Sequence, residues 1–88
     1  GVMSETFSDN QAANRFELEV DGKLAYADYR RRDGELVIPY VYADPALRGS
    51  GAADRLMRQV KATADAEKLS ITPICGYAAA WLRRNARD

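Results

Sequence analysis

The 88-residue chain contains no histidine and a single cysteine, Cys75. The first absence removes the side chain that most often serves as general base near neutral pH. The second excludes an intramolecular disulfide. No apolar stretch approaches the ~20 residues of a membrane span. Net charge is also missing, because 13 basic residues balance 13 acidic ones, so no global field draws the molecule to nucleic acid or to an acidic membrane. Residues 1–10 lack the basic start and apolar centre of a secretory leader. Together these absences lead to the expectation of a soluble, cytoplasmic protein with no nucleic-acid, membrane or metal partner. A chain this short buries about two thirds of its unfolded surface, which leaves room for one modest core and none for a large catalytic insertion. Nothing in it fixes an oligomeric state.

What is present reads as a single α+β domain over residues 14–88, preceded by a flexible polar arm over residues 1–13 in which Phe7 is the only sizeable anchor. From Arg15 to Val20 strict alternation sets Phe16, Leu18 and Val20 on one face and three charges on the other, the pattern of a half-exposed strand. Asp21-Gly22 supplies a tight hairpin turn, Leu24 to Arg31 returns, Asp33-Gly34 turns again, and Leu36 to Ala43 forms a third strand. Pro39 lies inside that strand and cannot donate to a ladder, so the pairing there is expected to be bulged or open on one side. Ala53, Leu56, Met57, Val60 and Ala64 then recur at helical spacing. A fourth strand, Leu69 to Ile74, is expected parallel to the third through a right-handed crossover. A short helix carrying Tyr77, Ala78, Trp81 and Leu82 on its apolar face closes the chain.

Between the third strand and the helix stands Ala43-Asp-Pro-Ala-Leu-Arg48-Gly49-Ser50-Gly51-Ala52-Ala53. Two glycines one residue apart let the backbone turn with no Cβ in the way, so that N–H groups converge on an anion at a helix N-terminus, with the charge of Arg48 beside them. A P-loop would need Gly-Lys-Ser/Thr where Gly51-Ala52-Ala53 stands, and a dinucleotide fingerprint would need a small residue at Asp54 and a longer chain. What remains, Arg48-x-x-Gly51-x-Ala53, resembles the Gln/Arg-x-x-Gly-x-Gly/Ala signature of the GNAT superfamily of acetyl-CoA-dependent N-acetyltransferases. A second stretch, Ile71-Thr-Pro73-Ile-Cys75-Gly-Tyr77 through Asn85, resembles the end of a minimal single-domain branch of that superfamily, where a short strand finishes in Pro-x-Cys and a short helix follows. The resemblance runs from Asn14 to Asn85.

The resemblance implies a truncated GNAT fold: a three-stranded antiparallel meander, a helix, a fourth parallel strand and a short terminal helix. It implies acetyl-CoA as cofactor and an amine as acceptor, either a small molecule or a protein lysine or N-terminus. The pantetheine arm is expected on backbone groups of Val41, Tyr42 and Ala43 and the phosphates on Arg48, Gly49, Ser50, Gly51, Ala52 and Ala53. Tyr77 is expected to line the channel, and one of Arg83 or Arg84, with Arg84 the candidate, to reach the adenosine phosphate together with Asn85. Where many relatives carry His and Glu on the third strand, this chain has Tyr40 and Tyr42; Tyr42 is the candidate proton relay, although a tyrosine is a poor base at neutral pH. Cys75 is either a nucleophile that takes the acetyl group first or a buried packing residue. Two other readings stay open: a CoA-binding module without turnover, and a protein-interaction domain that uses Arg83, Arg84 and Arg87.

Overall fold

The computed structural model describes residues 4–85. The alternating segment forms strand β2, Arg15–Val20, and turns through Asp21 and Gly22, both at positive φ (50° and 81°), into β3, Lys23–Arg32. Positive φ at both central residues is the geometry that matches a two-residue turn to strand twist. β3 pairs antiparallel with β4, Glu35–Ala43, and β4 pairs parallel with the short β5, Ser70–Pro73. Between them runs helix α1, Ala52–Glu67, and helix α2, Gly76–Arg84, follows β5. The antiparallel meander, the parallel strand and the closing helix are as the sequence suggested.

The strand count is a correction, and it arises in the stretch expected as a flexible arm, of which residues 1–3, like Arg87 at the other end, lie outside the described residues. Glu5–Asn10 forms a further strand, β1, antiparallel to β2, so the sheet has five strands in the order β1-β2-β3-β4-β5 among the described residues, and not four. Its polar composition concealed it because two of its three helix-side residues are carboxylates. Phe7 stacks on Phe16 with ring centroids 5.9 Å apart. Glu5 takes Arg55 of α1 in a paired contact at 3.0 and 3.1 Å. Asp9 accepts from the Tyr29 hydroxyl at 2.6 Å and from Arg31 at 3.1 Å. Partnered carboxylates replace the apolar residues that a strand normally turns inward.

Both helices cover one face of the sheet. Phe16, Leu18, Val20, Ala25, Ala27, Leu36 and Ile38 meet Leu56, Met57, Val60 and Ala64 of α1 and Ala78 and Trp81 of α2 in one buried cluster. Each of the larger apolar side chains in it contributes about 1.5–3 kcal/mol by leaving water. α2 is fixed to α1 by Trp81, whose Nε1 donates to Asp54 Oδ1 at 2.7 Å, and Arg58 lies over the indole at 5.8 Å. On the other face stand the alternate residues, among them Glu17, Tyr26, Asp28, Tyr40 and Tyr42, and no helix covers them among the described residues.

Candidate functional site

The site begins at a fault in the sheet. Asp28 pairs with Tyr40 and Arg30 with Val37, so Ile38 and Pro39 of β4 together oppose the single residue Tyr29 of β3. This is a bulge, and it sits at the proline that cannot donate to either neighbour. On the other side, pairing with β5 stops at Ile38 and Pro73, and the N–H groups of Ile74 and Cys75 both close onto Ile38 O at 3.0 and 3.1 Å. From there β4 and β5 diverge. Asp44 N donates to Leu24 O at 2.9 Å, so the antiparallel alternation turns the N–H and C=O of Tyr42 and Tyr40 toward β3 and those of Val41 and Ala43 into the gap. The Ala43 carbonyl there accepts from Arg48 Nε at 3.3 Å.

The chain leaves β4 through Asp44, which caps a short 3-10 turn, Pro45–Leu47, by accepting from Ala46 N at 2.8 Å. Leu47 is buried and anchors the turn to the core. Gly49 and Gly51 then take φ of 81° and 84°, values at which a side chain is strained. Gly51 is also the N-cap of α1 and offers no side chain to the first-turn amides. Those N–H groups are unsatisfied by the helix itself and carry the positive end of its dipole, so the end is open to an anion. Ser50 is the exception in the turn: its N–H and Oγ both donate to Leu47 O, and Oγ in turn accepts from the Ala52 N–H in a long contact of 3.4 Å, which leaves Ala53 and the next amide of the first turn open.

Gap and turn form one cleft of about 420 Å³, walled by Tyr40 to Ala43 on one side and by Arg48, Gly49 and Gly51 to Asp54 on the other, with Leu47 and Tyr77 completing it. Residues 15–88, which span every wall of this cleft, match the family described as GCN5-related N-acetyl-transferase. The chain belongs to that family. No curated protein matches the chain. The five-stranded sheet with two helices is consistent with a GNAT fold.

Of the residues that the GNAT resemblance singled out, Val41, Tyr42, Ala43, Arg48, Gly49, Gly51, Ala52, Ala53 and Tyr77 line the cleft, and Ser50, Cys75, Arg84 and Asn85 do not. Cys75 is half-buried, precedes the first residue of α2 and packs against the core cluster beside the fork of the two strands. Asn85 spends its amide inside the protein, giving Nδ2 to Trp81 O at 2.8 Å and accepting from Arg58 at 3.4 Å. Arg84 is exposed, and its charge acts on both Asp54 and Tyr77 of the cleft wall.

Three wall residues were not among those expected to bind: Tyr40, Leu47 and Asp54. Asp44-Pro45 carries a helix-start signal that would have located Leu47. Asp54 lies in the first turn of α1, where a carboxylate would repel a bound anion. Its hydrogen bond from the Trp81 indole, together with that from Arg58, holds its carboxyl below the usual range, and the same bonds commit its oxygens to α2 and to the helix flank. Tyr77 is shifted the other way, raised first by burial and then by the charge of Asp54. No group of three or more His, Cys, Asp or Glu side chains among the described residues is placed to hold a metal, and no helix there is long and apolar enough to cross a membrane.

Proposed function

We propose that this GNAT-family protein transfers an acetyl group from acetyl-CoA to a primary amine, by direct attack in the cleft between β4 and the Gly49–Gly51 turn. The observation that carries the reading is the fork at Pro39. It frees an edge of β4, and that edge leads to an uncapped helix end, so a chain of amide groups finishing in a diphosphate is complementary to the slot along its length. The uncapped first turn of α1 and the positive φ of both glycines are the features that fit the coenzyme's phosphates to these residues.

When bound, acetyl-CoA supplies a thioester whose acetyl carbon accepts the amine nitrogen as the carbon–sulfur bond breaks. The protein's residues hold and polarise. Amides of Gly49, Gly51 and Ala53 with the Arg48 guanidinium take the phosphates, and the Ala52 N–H joins them by giving up its long contact of 3.4 Å to Ser50 Oγ; Ser50, whose N–H is already committed, serves the shape of the turn. Val41 and Ala43 pair with the pantetheine amides, and Arg48 releases Ala43 O as they do so. Tyr77 packs beside the arm and Arg84 is the cation for the adenosine phosphate. The Val41 N–H facing the gap is the donor for the oxygen that gains charge during attack. Tyr42 hydrogen-bonds the incoming amine through its hydroxyl and passes its surplus proton to water, in the absence of any histidine.

Cys75 stands outside the cleft lining, and that favours direct transfer over relay through its sulfur. The test combines coenzyme binding with turnover. Calorimetry is expected to give one CoA site per chain, and thiol release from acetyl-CoA is expected to depend on added amine. Cys75→Ala is expected to keep that activity within about threefold. Loss of all activity in Cys75→Ala, together with an acetyl adduct on Cys75 in the parent protein, would replace direct attack by the two-step route. Binding without any amine-dependent thiol release would leave a coenzyme-binding module.

A further inference from the structure

The uncovered sheet face carries an aromatic cluster at the mouth of the cleft. Tyr26 lies 5.2 Å from Tyr42 and 6.2 Å from Tyr40 between ring centroids, and Tyr40 is 49% exposed although nothing in the hydrophobic core requires it. Tyr40 and Tyr42 are at once walls of the cleft and members of this cluster. The cluster already binds a cation of its own, since the Arg15 guanidinium rests 4.4 Å from the Tyr26 ring centroid. Its acidic neighbour is unspent. Arg15, which stands opposite Asp28 in the strand register, gives its hydrogen bond to Glu17 instead at 2.6 Å, and the Asp28 carboxylate, unlike its backbone, enters no hydrogen bond or ion pair among the described residues. Asp28 lies two residues from Tyr26 on the same face and directly opposite Tyr40.

An unpaired carboxylate flanked by tyrosine faces is complementary to an alkylammonium ion, which aromatic rings attract through their negative faces while the carboxylate supplies the counter-charge. The amine that attacks the thioester has to be neutral, so a cation held here is a different nitrogen from the reacting one. We infer that the acceptor is a small aliphatic diamine, one ammonium group of which rests on Tyr26, Tyr40 and Asp28 while the other nitrogen, deprotonated, enters the cleft past Tyr42. This rests on the acetyltransferase reading above and names its substrate class. A peptide is the poorer fit, because no loop inserted among the described elements rises beside the patch to hold a backbone.

The experiment compares acetyl-CoA-dependent thiol release with 1,5-diaminopentane, with pentylamine, which has one nitrogen only, and with a short lysine-containing peptide. The KM for diaminopentane is expected at least tenfold below that for pentylamine. Asp28→Asn, which keeps the shape of the side chain, and Tyr26→Leu are each expected to raise the diaminopentane KM about fivefold to thirtyfold while leaving the pentylamine KM and the CoA dissociation constant unchanged. In parallel, diaminopentane added without coenzyme is expected to shift the ring resonances of Tyr26 and Tyr40. Equal KM values for the two amines with CoA binding intact would overturn the inference and leave the acetyltransferase reading standing, and so would a peptide preferred over diaminopentane. Failure of that reading shows as no CoA binding and no thiol release; the ring shifts then decide the patch alone, their presence supporting a diammonium site and their absence overturning it.

Discussion

At the scale of single residues the site depends on backbone that only glycine adopts without strain. An alanine Cβ at Gly51 would stand 3.1 Å from Arg55 Nη1 at a φ of 84°. Gly51→Ala is therefore expected to cost about 1–2 kcal/mol of stability in chemical denaturation and to weaken CoA at least tenfold by calorimetry. Gly49 has open space around its missing Cβ, so Gly49→Ala bears the backbone cost alone. Arg48 is exposed, with its Nε on Ala43 O. Arg48→Ala should leave the melting temperature within about 2 °C while lowering CoA affinity about tenfold, the worth of one charge-assisted hydrogen bond. Asp54 gives a pH signature. Its bonds to Trp81 and Arg58 depress its folded-state pKa, so it stabilises the fold above the ordinary carboxylate range and that contribution is lost as pH falls through the depressed value. Asp54→Asn keeps an acceptor for the indole but has no charge to lose. Its melting temperature should fall less than that of the parent protein between pH 6 and pH 3, and parallel curves would show that the bond is not coupled to titration.

At the scale of elements β1 and the β4–β5 fork carry the account. Phe7→Ala removes the one apolar anchor of β1 and is expected to cost about 2 kcal/mol, below the value for a fully buried phenylalanine because Phe7 is half-exposed. Hydrogen exchange should show amides of residues 5–10 losing protection before those of β3, and uniform protection would contradict an edge strand whose one apolar anchor is Phe7. β1 was illegible in the sequence for a physical reason. Glu5 and Asp9 face the helix side as salt-bridged and hydrogen-bonded carboxylates, and a pattern of apolar alternation cannot detect a strand whose inward residues are charged. The remaining elements were legible because their signals agree: two-residue periodicity in β2, helical spacing in α1, and Pro39 marking the bulge.

At the scale of the whole molecule, zero net charge means that recognition is built from local groups, and the three tyrosines on the uncovered face, Tyr40 exposed and the other two half-buried, illustrate what sequence reading leaves out. Tyr26, Tyr40 and Tyr42 lie on two strands, and their grouping depends on a register that the bulge shifts by one residue, so no spacing along the chain announces it. The glycine turn and the third strand were legible as one site because the chain runs directly from Ala43 to Gly51, whereas the separation of Cys75 from the cleft lining depends on how β5 meets α2. The most direct measurement is a titration of CoA into isotope-labelled protein followed by amide resonances. The account predicts saturable shifts at Val41, Ala43, Gly49, Gly51 and Ala53, with those of the β1–β2 hairpin unmoved. Shifts confined to other surfaces, or none at saturating coenzyme, would contradict it.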